Sequence, residues 1–496
     1  MIVAATLLAL TAAAGPVVAV DGGRIVGERG ADGRLSFRGV PFAAPPTGAR
    51  RWRAPAPTPT WRGIRRAIAS APACAQLDDG WNTAQAATSA EDCLYLEIGT
   101  PTLTPAAPMP VLVWIHGGSN KAGGAAGTIA TSLVARGIVV VSVQYRLGAL
   151  GFMAHPALTA EAPAHASGNY GLMDQQAALR WVRRRIARFG GDPANVTIAG
   201  ESAGAQDVGL QQVSPLATGL FAKAIEGSGT AGFGFAPRDL RGSEAIGEEI
   251  AALAGAPHAD AVRLRALPAA ALLAATRRIA TPAGLPEPGT VWLQATIDGA
   301  VITEAPARTL ARRGGTRVPL LIGSNTREIA FYATADAARV AIDTAFPAKR
   351  DAARRFYGLD RAGAPPEDPV YGPAALRVAT DIVFTCPTIA VAGARTAAGV
   401  RVFRYLYDYP PPGGAVSHGT ELRYIFGTPG EHGIANDAPR LQAYWANFLR
   451  TGDPNGAGLV VWPDYGPQRH YLAFAPGGTV AMTDPGTTPC AGATRP

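Results

Sequence analysis

A serine flanked by small residues carries the strongest chemical signal in this sequence. Ser202 is the centre of the pentapeptide Gly-Glu-Ser-Ala-Gly at 200–204, between a strand-like run at 196–199 and a helix-like run at 206–213. Small neighbours allow a sharp backbone turn, which lifts the serine hydroxyl clear of the sheet. The turn also places the serine at a helix N-terminus, where N–H groups face a developing negative charge. The pattern predicts that Ser202 is a nucleophile.

A nucleophilic serine needs a base to take its proton and an acid to orient that base. Among the seven histidines, His418 is the candidate base, because it lies in a loop of small residues soon after the strand-like run 402–407. Glu328 follows the strand-like run 318–322, where it would accept a hydrogen bond from one imidazole nitrogen. The order serine, acid, histidine is that of α/β-hydrolase scaffolds. The alternatives are a structural histidine and a surface or capping glutamate.

Acyl transfer also needs hydrogen-bond donors for the oxyanion that forms. The sequence His-Gly-Gly-Ser at 116–119 follows the apolar run 111–115, as a glycine turn follows an early strand. The backbone N–H groups of Gly118, Ser119 and Ala203 are therefore predicted to converge on one oxygen. The alternative is an ordinary tight loop.

The elements that must position these residues are runs that are apolar throughout. Such runs are typical of strands buried on both faces of a parallel sheet, and they occur at 111–115, 139–143, 318–322 and 402–407. A helical stripe lies between them at 172–186. Strand alternating with helix predicts an α/β fold with a mostly parallel central sheet flanked by helices. The Ala-rich segment 233–315 predicts a helical insertion over its C-terminal edge.

Composition and charge limit the possible partners. The net charge of +8 comes almost entirely from arginine, and acidic residues are interspersed with it. This mixture is typical of a solvated surface rather than of a nucleic-acid or membrane patch. Zinc-ligand spacing, a phosphate-binding loop and an EF-hand pattern are all missing from the sequence. We therefore expect no nucleic acid, no cofactor and no metal.

The N-terminus is uncharged and apolar. Residues 1–20 are mostly Ala, Val and Leu, with small residues around Ala14 and Ala19, which resembles the apolar and cleavage regions of a secretory signal. We predict a signal peptide at 1–19, a single domain at 20–496 and a secreted or periplasmic location. Because the basic start of a signal is missing, an upstream start codon or a lipid-facing anchor is the alternative. No later segment is expected to span a bilayer.

Four cysteines in an exported chain predict two disulfides, and four cysteines allow three connectivities. Pairing Cys74 with Cys93 would close a short loop. Pairing Cys386 with Cys490 would attach the C-terminal tail to the body of the protein. The alternative is reduced, buried thiols in a cytosolic protein.

Further motifs occur in the order found in one known family. They are Phe-Arg-Gly-Val-Pro-Phe-Ala at 37–43, Glu-Asp-Cys-Leu-Tyr-Leu at 91–96, Asn-Tyr-Gly-Leu-Met-Asp-Gln at 169–175, Phe-Gly-Gly-Asp-Pro at 189–193 and His-Gly-Thr-Glu-Leu at 418–422. Together with the pentapeptide at 200–204, they make the chain resemble the type-B carboxylesterase family from about residue 22 to the C-terminus.

The resemblance implies a single α/β-hydrolase domain that hydrolyses small carboxylic esters through an acyl-enzyme, without a cofactor. It carries over the following roles: Ser202 as nucleophile, Glu328 as acid, His418 as base, the N–H groups of Gly118, Ser119 and Ala203 as oxyanion donors, and the disulfides Cys74–Cys93 and Cys386–Cys490. The other hypotheses are a binding or adhesion member without catalysis, a lipase and an amidase. The natural ester and the oligomeric state stay open.

Four further positions bear on the site. The resemblance implies that Glu201 modulates the charge beside the nucleophile and that Ser228 hydrogen-bonds near the acid. Asn120 stands at the expected pocket mouth, where the family often has an aromatic residue, and Ile329 replaces the glycine that usually follows the acid.

Overall fold

The computed structural model describes residues 15–231, 234–282, 285–427, 434–436, 438–484, 486 and 488–490. The strands in this part of the chain are β1 Val17–Val20, β2 Gly23–Val26, β3 Glu28–Arg29, β4 Leu35–Pro41, β5 Ile64–Arg66, β6 Tyr95–Thr100, β7 Met109–Ile115, β8 Val139–Val143, β9 Gly191–Glu201, β10 Lys223–Gly227, β11 Arg238–Asp239, β12 Thr296–Ile297, β13 Leu320–Asn325, β14 Val402–Tyr407, β15 His470–Ala475 and β16 Gly478–Thr483.

The α-helices in the same residues are α1 Thr83–Ala87, α2 Gly148–Phe152, α3 Pro156–Glu161, α4 Tyr170–Arg185, α5 Ala203–Val213, α6 Leu240–Leu253, α7 Ala261–Ala266, α8 Ala269–Thr276, α9 Pro306–Ala311, α10 Ala335–Ala345, α11 Arg350–Phe356, α12 Ala374–Ala379, α13 Cys386–Ala397, α14 Leu422–Phe426 and α15 Leu441–Thr451. A π-helical turn, Thr380–Thr385, joins α12 to α13.

Within the described residues, eleven strands form one sheet, in the order β16-β15-β14-β13-β10-β9-β7-β8-β6-β4-β3. The seven strands from β15 to β8 in this order are parallel. Antiparallel pairs flank them at both ends. Two smaller sheets, β1-β2-β5 and β11-β12, lie outside it. The predicted fold class, a mostly parallel central sheet flanked by helices, is confirmed.

The central strands are apolar throughout because both of their faces are buried. Side chains of a strand point alternately to opposite faces, and Val113 of β7 packs in one core with Leu179 of α4. Its neighbour Leu112 packs in a second core with Trp445 of α15. Helices on both faces of the sheet thus fix the strand ends from which the site residues emerge.

Two helical segments lie beside the site. The predicted insertion at 233–315 holds α6 to α9, but it also contains β11 and β12, which pair in parallel; its residues 233, 283 and 284 lie outside the described residues. A second helical segment, α10 to α13, separates β13 from β14 and was not predicted. Leu293 of the first segment and Phe384 of the second pack in one cluster with Ala203.

The run 374–397 corrects one expectation. It is long and apolar enough to cross a membrane by length and composition, although no segment after the N-terminus was expected to be. In this fold, 61% of its apolar window is buried. Core helices of water-soluble proteins have the same length and composition, so the run is weak support for a membrane span.

The first described strand overlaps the predicted signal peptide. Of the predicted signal peptide, residues 1–14 lie outside the described residues, whereas β1 pairs with β2 and so belongs to the fold. The predicted boundary at 19 therefore cuts through β1.

Disulfides join Cys74 to Cys93 and Cys386 to Cys490, the pairing that the resemblance implied.

Candidate active site

Ser202 lies on a sharp turn between β9 and α5. Its φ of 60° and ψ of −129° are unusual for a residue with a side chain, and its N–H donates to Gly227 O at 2.9 Å. A Cβ at Gly204 would lie 2.1 Å from Ile115 O, and one at Gly200 would lie 2.3 Å from the carbonyl carbon of Gly204. Both glycines are therefore required for the turn that presents the serine.

The structure brings the predicted acid and base together. His418 Nδ1 lies 2.6 Å from Glu328 Oε2. Glu328 Oε1 accepts a hydrogen bond from the Asn325 N–H at 2.7 Å, and the Glu328 N–H donates to Thr380 Oγ1 at 3.1 Å. The carboxylate is fully buried. These contacts fix both oxygens of Glu328 and orient the imidazole ring.

The other ring nitrogen lies toward the serine turn. His418 Nε2 is 3.0 Å from Oε1 of Glu201, the residue that precedes Ser202. Neither atom has a hydrogen-bond partner among the described residues, so no hydrogen bond from Ser202 to His418 is formed there. The Nε2 atom is therefore the ring nitrogen that faces the serine turn and the Glu201 carboxylate.

Buried carboxylates set the charge of this ring. Burial opposes protonation of His418, but the neighbouring carboxylates of Glu201 and Glu328 outweigh it and raise the histidine pKa above its usual value. Burial raises the pKa of Glu201 as well, although the positive charge of His418 opposes that rise. The pair is thus electrostatically linked, and Glu201 favours the protonated ring.

Two residues that the sequence argument did not assign complete this side of the site. Asn325 Nδ2 donates to Glu421 Oε2 at 2.7 Å and to Ser417 O at 3.0 Å. Asn325 thereby links the loop that carries the acid to the loop that carries His418. Burial raises the pKa of Glu421 to about 8, with Glu201 and Glu328 adding to the rise. The position of Asn325 directly before the acid loop was the available sequence signal.

The loop after β7 lies against the serine turn. Gly118, Ser119 and Asn120 have φ values of 108°, 54° and 54°. A Cβ at Gly117 would lie 3.0 Å from Ser202 Cβ, which shows how closely the loop approaches the turn. Ala203, the first residue of α5, is fully buried beside the same turn. The three predicted donors thus lie on two segments that meet at Ser202.

The structure corrects the expected place of Asn120 and the expected contact of Ser228. Asn120 is 1% exposed, so it does not lie at a pocket mouth. Its Nδ2 donates to Asp207 Oδ1 at 3.0 Å, and its Oδ1 accepts from Tyr145 Oη at 3.2 Å. Asn120 therefore fixes the strained loop from inside. Ser228 Oγ has no hydrogen-bond partner among the described residues, so the expected contact near the acid is not formed.

Apolar side chains line the space beside the ring. The ring centroids of Phe384 and His418 are 5.2 Å apart, and Phe331 stacks on Phe384 at 6.1 Å. Trp81 is 61% exposed and lies close to Gly118. Such walls suit an uncharged acyl or alkyl group. Among the described residues, no group of three or more His, Cys, Asp and Glu side chains could hold a metal ion.

Comparison with known proteins agrees with this geometry. The model of the carboxylesterase family matches residues 14–488. Liver carboxylesterase 1 of Oryctolagus cuniculus is 33% identical, covering 94% of this chain and 92% of that protein. The fumonisin B1 esterase of Sphingopyxis macrogoltabida is 32% identical over 88% of this chain and 83% of its own length. The crystal structure of the Geobacillus stearothermophilus carboxylesterase EST55 at pH 6.2 matches with a TM-score of 0.78 and 32% identity, covering 95% of this chain and 98% of that one.

The sheet order and the serine turn define an α/β-hydrolase. Within that class, the chain belongs to the carboxylesterase family and is a carboxylic ester hydrolase that acts on small-molecule esters.

Proposed function

We propose that the chain hydrolyses carboxylic esters through a triad of Ser202, Glu328 and His418. His418 Nε2 takes the hydroxyl proton of Ser202 as its oxygen attacks the ester carbonyl, and then gives that proton to the leaving alcohol. Water attacks the resulting acyl-enzyme with His418 again as base, which releases the acid and restores the serine. Glu328 holds the ring and stabilises its positive charge.

The oxyanion of each tetrahedral intermediate is held by the N–H groups of Gly118, Ser119 and Ala203. Backbone donors fixed before the reaction stabilise the developing charge without reorganising. The position of Ala203 at the first turn of α5 adds the helix dipole to this stabilisation.

One observation carries the proposal: the 2.6 Å contact between Glu328 and His418 leaves Nε2 directed at the turn that presents Ser202. Other buried histidines, such as His116 and His155, also have an unpartnered Nε2, but only His418 combines this with a carboxylate on Nδ1 and a place beside the serine turn in the described part of the chain. Catalytic hydrogen bonds often tighten only when substrate is bound.

The test is hydrolysis of p-nitrophenyl esters from acetate to decanoate by the wild type and by Ser202→Ala. The variant is expected to lose ~10⁴-fold or more of its turnover, as other serine hydrolases do without their nucleophile. Ser36→Ala, a partly buried serine on β4, which is four strands from β9 in the sheet order, is the matched control. Equal activity in Ser202→Ala and wild type would reject the triad.

A second assay separates the alternatives. Stoichiometric labelling of Ser202 by an organophosphate supports the acyl-enzyme route, whereas a binding or adhesion protein without catalysis would not be labelled. Faster turnover at an oil interface would indicate a lipase, and turnover of anilides would indicate an amidase.

The chain is exported and works as one domain. Two disulfides favour an oxidising compartment, secreted or periplasmic. Because β1 begins at Val17, cleavage after Ala14 would retain this strand, whereas cleavage after Ala19 would remove most of it. N-terminal sequencing of the mature protein identifies the cleavage site. A single calorimetric unfolding transition would support the single domain.

A further inference from the structure

A cavity separate from the candidate active site lies beside the loop that follows β13 and carries Glu328. Its volume is about 240 Å³, far above the ~15 Å³ that one water needs. Arg404 of β14 and Arg377 of α12 both line it, and Asn325 forms part of its wall. None of Ser202, Glu201 and His418 lines it, so it is distinct from the site described above.

Arg404 is the unusual residue of this cavity. It is only 3% exposed, and its guanidinium carbon lies 4.7 Å from the centre of the Tyr471 ring. Its Nε has no hydrogen-bond partner, and no carboxylate forms an ion pair with the guanidinium, among the described residues. Buried charges are normally paired and hydrogen-bonded. An arginine remains charged even here. The charges of Asp484 and Asp381 act on it from a distance, but the guanidinium has no directly bonded anion among the described residues.

Arg377 adds a second positive charge toward the surface. Its guanidinium carbon lies 5.6, 5.8 and 5.4 Å from the ring centres of Phe356, Tyr357 and Tyr371. The rings of Phe356 and Tyr371 are exposed, so they mark the side on which the cavity reaches solvent. The three rings hold the guanidinium by cation–π contacts. In the described part of the chain it forms no close ion pair, although its charge acts on Asp381 and Asp368.

The carboxylates of the cavity do not neutralise the two arginines. Asp484 is hydrogen-bonded to Arg469 at 2.7 Å. Asp381 accepts a hydrogen bond from Tyr357 Oη at 2.7 Å, and burial raises its pKa despite that bond and the charge of Arg377. The lining thus holds Arg377 and Arg404 against Asp381 and Asp484. Because Asp484 is paired with Arg469 and burial favours the neutral form of Asp381, neither carboxylate is bonded to the two arginines.

We propose that this cavity binds a small organic carboxylate with an aromatic or short aliphatic body. The planar guanidinium of Arg404 suits a bidentate contact with a carboxylate, and Arg377 attracts the anion from the mouth. Phe356, Tyr371 and Tyr471 provide apolar walls for its body. These walls favour an organic anion over inorganic phosphate, which has no apolar surface to bury. Carboxylates are also the acids that ester hydrolysis releases.

The test is calorimetric titration of the full chain with phenylacetate, after an organophosphate has blocked its ester-hydrolysing site. Phenylacetate is expected to bind at one site per chain. Phenylacetamide, which has the same ring without the charge, and inorganic phosphate, which has the charge without the ring, are both expected to bind at least tenfold more weakly. Absence of phenylacetate binding would overturn the proposal, as would equal binding of the amide.

Substitutions of the cavity arginines test whether phenylacetate binds in this cavity. Arg377→Gln and Arg404→Gln are each expected to weaken phenylacetate binding at least tenfold. Arg355→Gln, an exposed arginine on neighbouring α11 that does not line the cavity, is expected to leave it unchanged. Arg377 is only partly buried, so its variant decides the question if Arg404→Gln fails to fold by circular dichroism. Unchanged affinity in Arg377→Gln would place phenylacetate elsewhere and reject the cavity as its site.

Discussion

His418 Nε2 and Glu201 Oε1 lie 3.0 Å apart, on the side of the ring opposite to the 2.6 Å contact with Glu328. The imidazole is thus placed between two buried carboxylates, one on each nitrogen. An arrangement of this kind stabilises the imidazolium that forms when the serine loses its proton. It also has a cost, because it favours a protonated ring in the resting enzyme.

The first prediction concerns pH. Because Glu201 raises the pKa of His418, kcat/KM should fall on the acid side with a midpoint above the usual histidine value of ~6.5. Glu201→Gln removes a negative charge next to Nε2, so the midpoint should move to lower pH, by ~1 unit for a charge at this distance. A pH-stat profile with ethyl butyrate measures both midpoints.

The control for the pH prediction is Glu367→Gln, which removes a charge from an exposed side chain. Its profile should match the wild type. A midpoint in Glu201→Gln that is unchanged or moves to higher pH contradicts the role given to Glu201.

The second prediction concerns the acid. Glu328→Gln keeps the size of the side chain but removes the charge that orients His418. Turnover should fall ~10⁴-fold, the effect of the corresponding Asp-to-Asn change in another Ser-His-acid enzyme, while KM changes little. Steady-state kinetics with p-nitrophenyl butyrate checks this, and activity within tenfold of wild type would show that another group orients the ring.

The third prediction concerns the residue that links the two loops. Asn325→Ala leaves Glu421 Oε2 and Ser417 O without their donor. Unfilled buried acceptors cost ~1–3 kcal/mol, so urea unfolding should show a loss of this size. The kcat should fall more than KM rises, because His418 lies next to Ser417. Asn447→Ala, which loses one partly buried bond to Pro454 O, should lose less stability and no activity.

The fourth prediction compares two glycines. A methyl group at Gly204 would collide with Ile115 O, whereas nothing lies within 4 Å of a Cβ at Gly393 in α13. Gly204→Ala should therefore unfold at lower temperature and lose activity. Gly393→Ala should gain ~0.5–1 kcal/mol, the usual preference of a helix for alanine. Thermal melts of both variants and the wild type measure this. Equal melting temperatures of Gly204→Ala and the wild type would show that the serine turn can relax around the methyl group.

The fifth prediction concerns the disulfides. Cys386 and Cys490 are separated by 104 positions and Cys74 and Cys93 by 19. In the chain-entropy model, a disulfide that closes a longer loop stabilises the folded protein more, by ~4.7 kcal/mol for a loop of 100 residues against ~3 kcal/mol for one of 15. Replacing both cysteines of a pair by serine should therefore cost more stability for Cys386–Cys490. Urea titrations of the two double variants check the order, and a reversed order would contradict the model.

The sequence predicted the parts of the fold that depend on local pattern. The run 139–143 coincides with β8 and the run 402–407 with β14, because strands buried on both faces are apolar without interruption. The run 318–322 was placed too early, since β13 begins only after Pro319, and proline has no N–H for the sheet ladder. The strands β11 and β12 escaped prediction because they have two residues each.

The parts of the site that escaped prediction depend on contacts between distant residues. Asn325 and Glu421 are 96 positions apart, and Asn120 and Asp207 are 87 apart. No local pattern reveals such pairs, so Asn120 was expected at the pocket mouth although it is buried. The roles of Ser202, Glu328 and His418 remain predictions until the variants are measured.

The donors proposed for the oxyanion have a consequence for how this enzyme can be mutated. All three are main-chain groups, and the loop that carries two of them is fixed by Asn120 and Tyr145 rather than by the side chain of Ser119. A scan that exchanges side chains one at a time would therefore detect the oxyanion hole only through the residues that hold the loop, such as Asn120, and not through the donors themselves. Only a change to the backbone itself, such as an ester in place of the amide at 119, would delete a donor.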